Sequence, residues 1–100
     1  MHTTTEVSEG KALVTFEGRM ESHIIHEVVL ALKPIYELKD TEVTFDCTNL
    51  EYISSNGFRL LQVLIETLRP NGCNLYIKGA SEKLMDVFKA TGFDKCFFFI

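Results

Sequence analysis

Apolar positions in this chain alternate between two spacings, every second residue and every third or fourth, and the changes between them mark out its elements. Thr3–Val7 and Ala12–Phe16 alternate as strands do and flank Ser8-Glu9-Gly10-Lys11, which reads as the turn of an opening hairpin. Gly18 breaks the pattern. From Glu21 to about Lys33 the spacing is helical: Ile24, Ile25, Val28, Val29 and Leu32 share one face, and His23, His26, Glu27 and Lys33 fall mostly on the other. Pro34, with no N–H to give and a ring that clashes with the preceding turn, kinks or ends that helix. Val43–Leu50 reads as a strand running into a loop, with the strand itself over Glu42–Cys47. Phe58, Leu61, Leu64, Ile65 and Leu68 then predict a helix over Asn56–Arg69. A strand over Asn74–Lys78, a helix over Glu82–Ala90 with Ser81 as cap and Gly92 as stop, and a last strand at Phe97–Ile100 complete the series. The class is α/β: a mixed sheet of about four to five strands, a hairpin followed by strand-helix alternation with right-handed crossovers, packed against about three helices.

Composition narrows the uses of such a fold. One hundred residues without linker, repeat or low-complexity tract make a single domain over 1–100, large enough for one core and with little room for a buried active site. A net charge of −4 argues against binding a phosphate backbone, so nucleic acid is not an expected partner. No apolar run approaches the roughly 20 residues a membrane span needs, and Met1–Gly10 lacks the charged-then-apolar order of a signal peptide. A cytoplasmic monomer with no direct membrane insertion is expected. Cys47, Cys73 and Cys96 are widely spaced, with no Cys-x-x-Cys, and suggest neither a disulfide framework nor a zinc site. They read as reduced, partly buried thiols.

Candidate chemistry gathers in Tyr52-Ile53-Ser54-Ser55-Asn56-Gly57-Phe58-Arg59, where two hydroxyls and a glycine stand at the start of an amphipathic helix. Ser55 sits close to the helix N-terminus. The first N–H groups of a helix lack internal partners, so a serine there serves as an N-cap, and the same end of the helix dipole favours an added phosphate.

That run, with its surroundings, resembles the STAS domain, shared by bacterial anti-sigma factor antagonists and the cytoplasmic tails of sulphate transporters. The resemblance rests on a strand carrying Asp46, then Ser54-Ser55-Asn56 and Gly57 opening a helix. It continues through Asn71-Gly72-Cys73-Asn74-Leu75-Tyr76-Ile77 and the ending from Leu84 to Gly92 with Phe93-Asp94-Lys95. It implies a phosphorylated protein in a partner-switching system that regulates bacterial transcription: Ser55 is phosphorylated by an anti-sigma factor serine kinase and restored by a PP2C-type serine phosphatase. The chain itself is then no enzyme and needs no cofactor or metal. Asp46, Ser54, Asn56, Gly57, Phe58 and Arg59 would form the partner-binding switch loop, and Ser54 stands where many members carry aspartate. The resemblance is equally compatible with an unphosphorylated STAS module acting as a structural subunit of a membrane transport complex or as a small-ligand sensor. Family members often continue into one more helix; without it, part of the terminal aromatic run is expected to be exposed or to sit in an interface.

Plainer roles stand beside these. Ser55 as a cap, Asp46 as a turn residue, Gly57 as a flexible joint and Arg59 on a solvated face with Gln62, Glu66 and Arg69 need no partner. His23, His26 and Glu27 share a helical face but read as surface residues. A response-regulator receiver, with Asp46 as phospho-acceptor, lacks the acidic pair needed to hold magnesium. A serine hydrolase lacks the Gly-x-Ser-x-Gly elbow, and no phosphate-cradling glycine-rich loop is present.

Overall fold

Five strands lie side by side in the order in which the chain makes them, β1-β2-β3-β4-β5, in a computed structural model that describes residues 1–100 throughout. β1 (His2–Ser8) and β2 (Lys11–Met20) form the antiparallel hairpin, closed by Gly10 at φ +74°. β3 (Glu42–Ile53), β4 (Asn74–Lys78) and β5 (Phe98–Phe99) are added parallel to β2, one after another. Because every parallel step moves the same way and such crossovers are right-handed, the connecting helices all fall on one face of the sheet. These are α1 (Ile25–Ala31), α2 (Ser55–Leu68) and α3 (Glu82–Thr91).

The core lies between that face and the helices. Val14, Phe16, Val43, Phe45, Leu75 and Ile77 from the strands meet Val28, Leu61, Leu64, Leu68, Leu84 and Phe88 from the helices in one buried cluster. Aromatic pairs run through it, Phe16 stacked on Phe45 at 6.1 Å and Phe45 edge-on to Phe97 at 6.2 Å. Pairs of this kind stabilise by about 0.5–1.5 kcal/mol beyond the area they bury.

Besides β2, which runs on through Gly18 to Met20 instead of breaking there, three elements differ from the sequence expectation. The first helix is shorter: a 3-10 turn at Ser22–Ile24 leads into α1, which ends at Ala31 before Pro34 disfavours helix at the residue preceding it. The last strand is only two residues long, and Phe97 turns inward, 7% exposed, leaving Phe98 and Ile100 outward. The third difference bears on the site. β3 does not end at Cys47 but runs on to Ile53 alongside β2. Asp46 lies opposite Thr15 while Asn49 lies opposite Glu17, and Leu50 opposite Gly18 while Tyr52 lies opposite Arg19, so β3 carries one extra residue at each of two bulges. Each bulge breaks the in-out alternation, at Thr48-Asn49 and at Glu51-Tyr52, which makes a continuous strand look like a loop in the sequence.

Candidate functional site

β4 stops at Lys78, where Gly79, at φ +71°, passes over Thr48 of the first bulge so closely that any Cβ there would strike it. Beyond that point β3 is paired with β2 alone. The backbone N–H of Ser54 donates to Met20 O at 2.9 Å, tying the end of β3 to the end of β2, and α2 starts at once.

Ser54, not Ser55, is the cap. Its Oγ accepts the Gly57 N–H at 3.1 Å, in extended backbone geometry and with 4% of the residue exposed. Ser55 is the first helical residue and is exposed, and its hydroxyl has no protein partner. The expectation that Ser55 itself caps the helix is therefore corrected: the residue before it fills that position, because the chain turns from strand to helix one residue earlier than the spacing suggests. No acidic residue occupies the first turn of α2.

Gly57 is a packing requirement rather than a flexible joint. A Cβ on it would lie 2.6 Å from Ile53 Cγ2 and 2.9 Å from Met20 Sδ, and Met20 is fully buried and cannot swing away. Only glycine lets the first turn of α2 rest on the ends of β2 and β3. Phe58 points away from Ser55 and toward α3, its ring 6.0 Å from Phe88 and 6.2 Å from Phe93. Asn56 and Arg59 are exposed and lie at the rim of an apolar groove of about 390 Å³ between α1 and α2, floored by Ile25, Val29, Leu60 and Val63. Farther along the polar face Gln62 donates to Glu66 at 3.3 Å.

Asp46 stands apart from these residues. Seven positions of extended strand separate it from Ile53, roughly 20 Å at about 3.3 Å per residue. Its carboxylate accepts from the Thr48 hydroxyl at 2.7 Å and the Thr48 N–H at 3.0 Å, and these bonds hold its pKa below the usual carboxylate value. It secures the first bulge and makes no hydrogen bond to the Ser55 loop. The histidines keep their surface reading, His23 lying 3.6 Å from the Glu21 carboxylate, with both side chains well exposed.

Sequence reasoning passed over Arg19 and Glu21. The Arg19 guanidinium donates through Nε to Glu21 at 2.8 Å and lies over the Tyr52 ring, 4.5 Å from its centroid. The hydrogen bond raises the Arg19 pKa and lowers that of Glu21. An arginine followed two residues later by glutamate at a strand end was the only signal available. Arg19 and Tyr52 border a second groove, of about 420 Å³, that runs past Leu50, Ile53 and Phe58 to Lys83 and Leu84 of α3. No helix is long and apolar enough to cross a membrane.

Comparison with known proteins agrees with this geometry. Residues 2–100 match the family model described as STAS domain. An anti-sigma-B factor antagonist of Staphylococcus epidermidis is 29% identical over 75 residues, which are 75% of this chain and 69% of that protein. Among solved structures, an anti-sigma factor antagonist from Mycobacterium paratuberculosis aligns over 98% of this chain and 83% of its own with a TM-score of 0.76 at 20% identity. The anti-sigma factor antagonist SpoIIAA in its unphosphorylated form gives 0.76 at 12% identity, over 99% of this chain and 87% of that one. The Bacillus cell fate determinant SpoIIAA in the phosphorylated form gives 0.75 at 13% identity, over 99% and 91%. At such identities these structures share the fold with this chain.

Proposed function

This chain belongs to the STAS domain family, and on that premise we propose that it is an anti-sigma factor antagonist-like switch that binds an anti-sigma factor serine kinase and is released by phosphorylation at Ser55. The observation that carries the reading is the division of labour between the two serines: with Ser54 satisfying the helix, the Ser55 hydroxyl is exposed and unengaged.

A phosphate at Ser55 adds about −1.5 to −2 charges near neutral pH. At the first position of α2 the helix dipole favours that charge by roughly 0.3–1 kcal/mol, so the domain stays folded. In a partner's interface the same dianion must shed water without a matching cation, and a loss of about 1.4 kcal/mol already weakens binding tenfold. The modification thus acts on binding and spares the fold. The apolar groove beside Asn56 and Arg59 supplies the contact area a partner needs next to the serine. A PP2C-type phosphatase would restore the hydroxyl, and the kinase, not this chain, does the chemistry in the cytoplasm.

The test is a pull-down from lysate of the native organism with wild-type, Ser55→Ala and Ser55→Asp baits. Retention of an ATP-binding serine kinase by the first two and its loss from the third, with phosphate transfer from ATP to wild type but not to Ser55→Ala, is the expected result. Equal retention by all three would sink the switch. The 420 Å³ groove between β3 and α3 favours a second reading, a small-ligand sensor, which predicts binding indifferent to charge at Ser55.

A further inference from the structure

Arg59 is the only charged residue in the first two turns of α2, and nothing in the chain neutralises it. It is exposed, and the ion pairs of the molecule, which join Arg19 and His23 to Glu21, leave it out. Its neighbours on the helix surface, three and four positions away, are Ser55, Asn56, Gln62 and Val63, none of them charged. Glu66 lies seven residues on, about 10 Å along the axis at about 1.5 Å per residue, and accepts from the Gln62 amide instead. Nor does the helix gain from a cation there, since the positive end of its dipole is the N-terminal one. α3 follows the usual order, with Glu82 in its first turn and Lys89 in its last. α2 has neither an acid in its first turn nor a base in its last.

The partner that this cation lacks is the one that phosphorylation would supply. Ser55 and Arg59 stand four residues apart in one regular helix, a spacing that stacks two side chains with their Cβ atoms about 5–6 Å apart. Helical side chains lean toward the N-terminus, so the long Arg59 chain covers the turn that holds Ser55. The bare hydroxyl takes no hydrogen bond from it. A phosphate on Ser55 Oγ brings three strong acceptor oxygens outward, and a guanidinium can meet two of them with parallel N–H donors.

We propose that Arg59 is an internal clamp for a phosphate on Ser55, an inference that rests on the phosphorylation proposed above. The clamp changes two things for a partner in one event. One guanidinium offsets a single charge of the about −1.5 to −2 that the phosphate carries, so the serine still presents net negative charge. Arg59 also lines the groove between α1 and α2, which Ser55 does not, and pairing with the phosphate draws its guanidinium away from that rim. Phosphorylation thus adds an anion beside the groove and withdraws a cation that an acidic group of the partner could have met.

The test places phosphoserine at position 55 during translation, so that no kinase is needed, and compares it with serine in chains carrying Arg59 or Arg59→Gln. Urea unfolding of these four proteins at low salt closes a double-mutant cycle, which cancels any effect of Arg59→Gln on the fold alone. The phosphate should favour the folded state about two- to fivefold more with Arg59 than with Arg59→Gln, the range of an exposed ion pair, and the difference should shrink at high salt. In proton–nitrogen NMR spectra the Arg59 Nε–H signal should move downfield and exchange more slowly only in the phosphoserine chain. An equal effect of the phosphate in both backgrounds, or an Arg59 signal that stays in place, overturns the clamp. Because no kinase enters, loss of the switch in the pull-down leaves this result untouched, and a failed clamp leaves the switch standing.

Discussion

α2 and α3 each begin with a serine whose side-chain oxygen accepts the N–H three residues on, at 3.1 Å in both. Ser81 of α3 is exposed, Glu82 follows it and gives the dipole its negative charge, and Leu84 takes the third position and reaches the core. Ser54 of α2 is buried, the following position holds the neutral Ser55, and the third must be glycine because two strand ends press against it. One helix start is complete as built. The other is held more firmly by its surroundings yet leaves the charge-seeking position filled by a neutral, exposed hydroxyl, which on the proposed reading lets the site change charge without losing its shape.

Substitutions at matching positions sharpen that comparison. Gly57→Ala gives the largest expected effect. Helix propensity favours alanine by about 1 kcal/mol, but displacing both Ile53 and Met20 falls in the upper part of the range for overpacked cores, about 2–3 kcal/mol, so chemical denaturation should show a net loss of about 1–2 kcal/mol. A stabilised Gly57→Ala variant would mean that the strand ends yield easily and do not clamp α2. Next come the caps. Ser54→Ala leaves a buried N–H unpaired and should cost about 1–2 kcal/mol, against about 0.5–1 kcal/mol for Ser81→Ala, whose capping bond is only part-buried. Equal losses in urea melts would erase the distinction drawn between the two starts. The smallest effect is at Ser55. Ser55→Ala should fall within about 0.5 kcal/mol of wild type, and Ser55→Asp should gain about 0.3–1 kcal/mol at low ionic strength, a gain that salt removes. A destabilised Ser55→Asp would show that charge there disturbs the fold as well as binding.

The periodic elements were legible in the sequence. β4 occupies the residues its alternation predicts, and α2 and α3 start and stop within a residue of expectation, with Gly92 in the left-handed conformation that ends α3. Ser54-Ser55-Asn56-Gly57 was equally visible as the start of a helix, and the family followed from it and its flanks. The residue that caps was not visible, because Ser54 and Ser55 are chemically the same and only the hydrogen bond from Ser54 N to Met20 O fixes where strand gives way to helix.

What the sequence determined by itself is therefore whatever depends on neighbours a few residues apart: strand and helix periods, turns, caps in kind, and the class of fold. Tertiary structure decided the rest. The length of β3 depends on a ladder with β2 and on two bulges, one of them held by Asp46 and Thr48; Gly57 is fixed by Met20 from another strand; Arg19 reaches Tyr52 only through register. Each of these is a contact between segments distant in the chain. Local spacing records which face a residue prefers, but not which residue from elsewhere will meet it there.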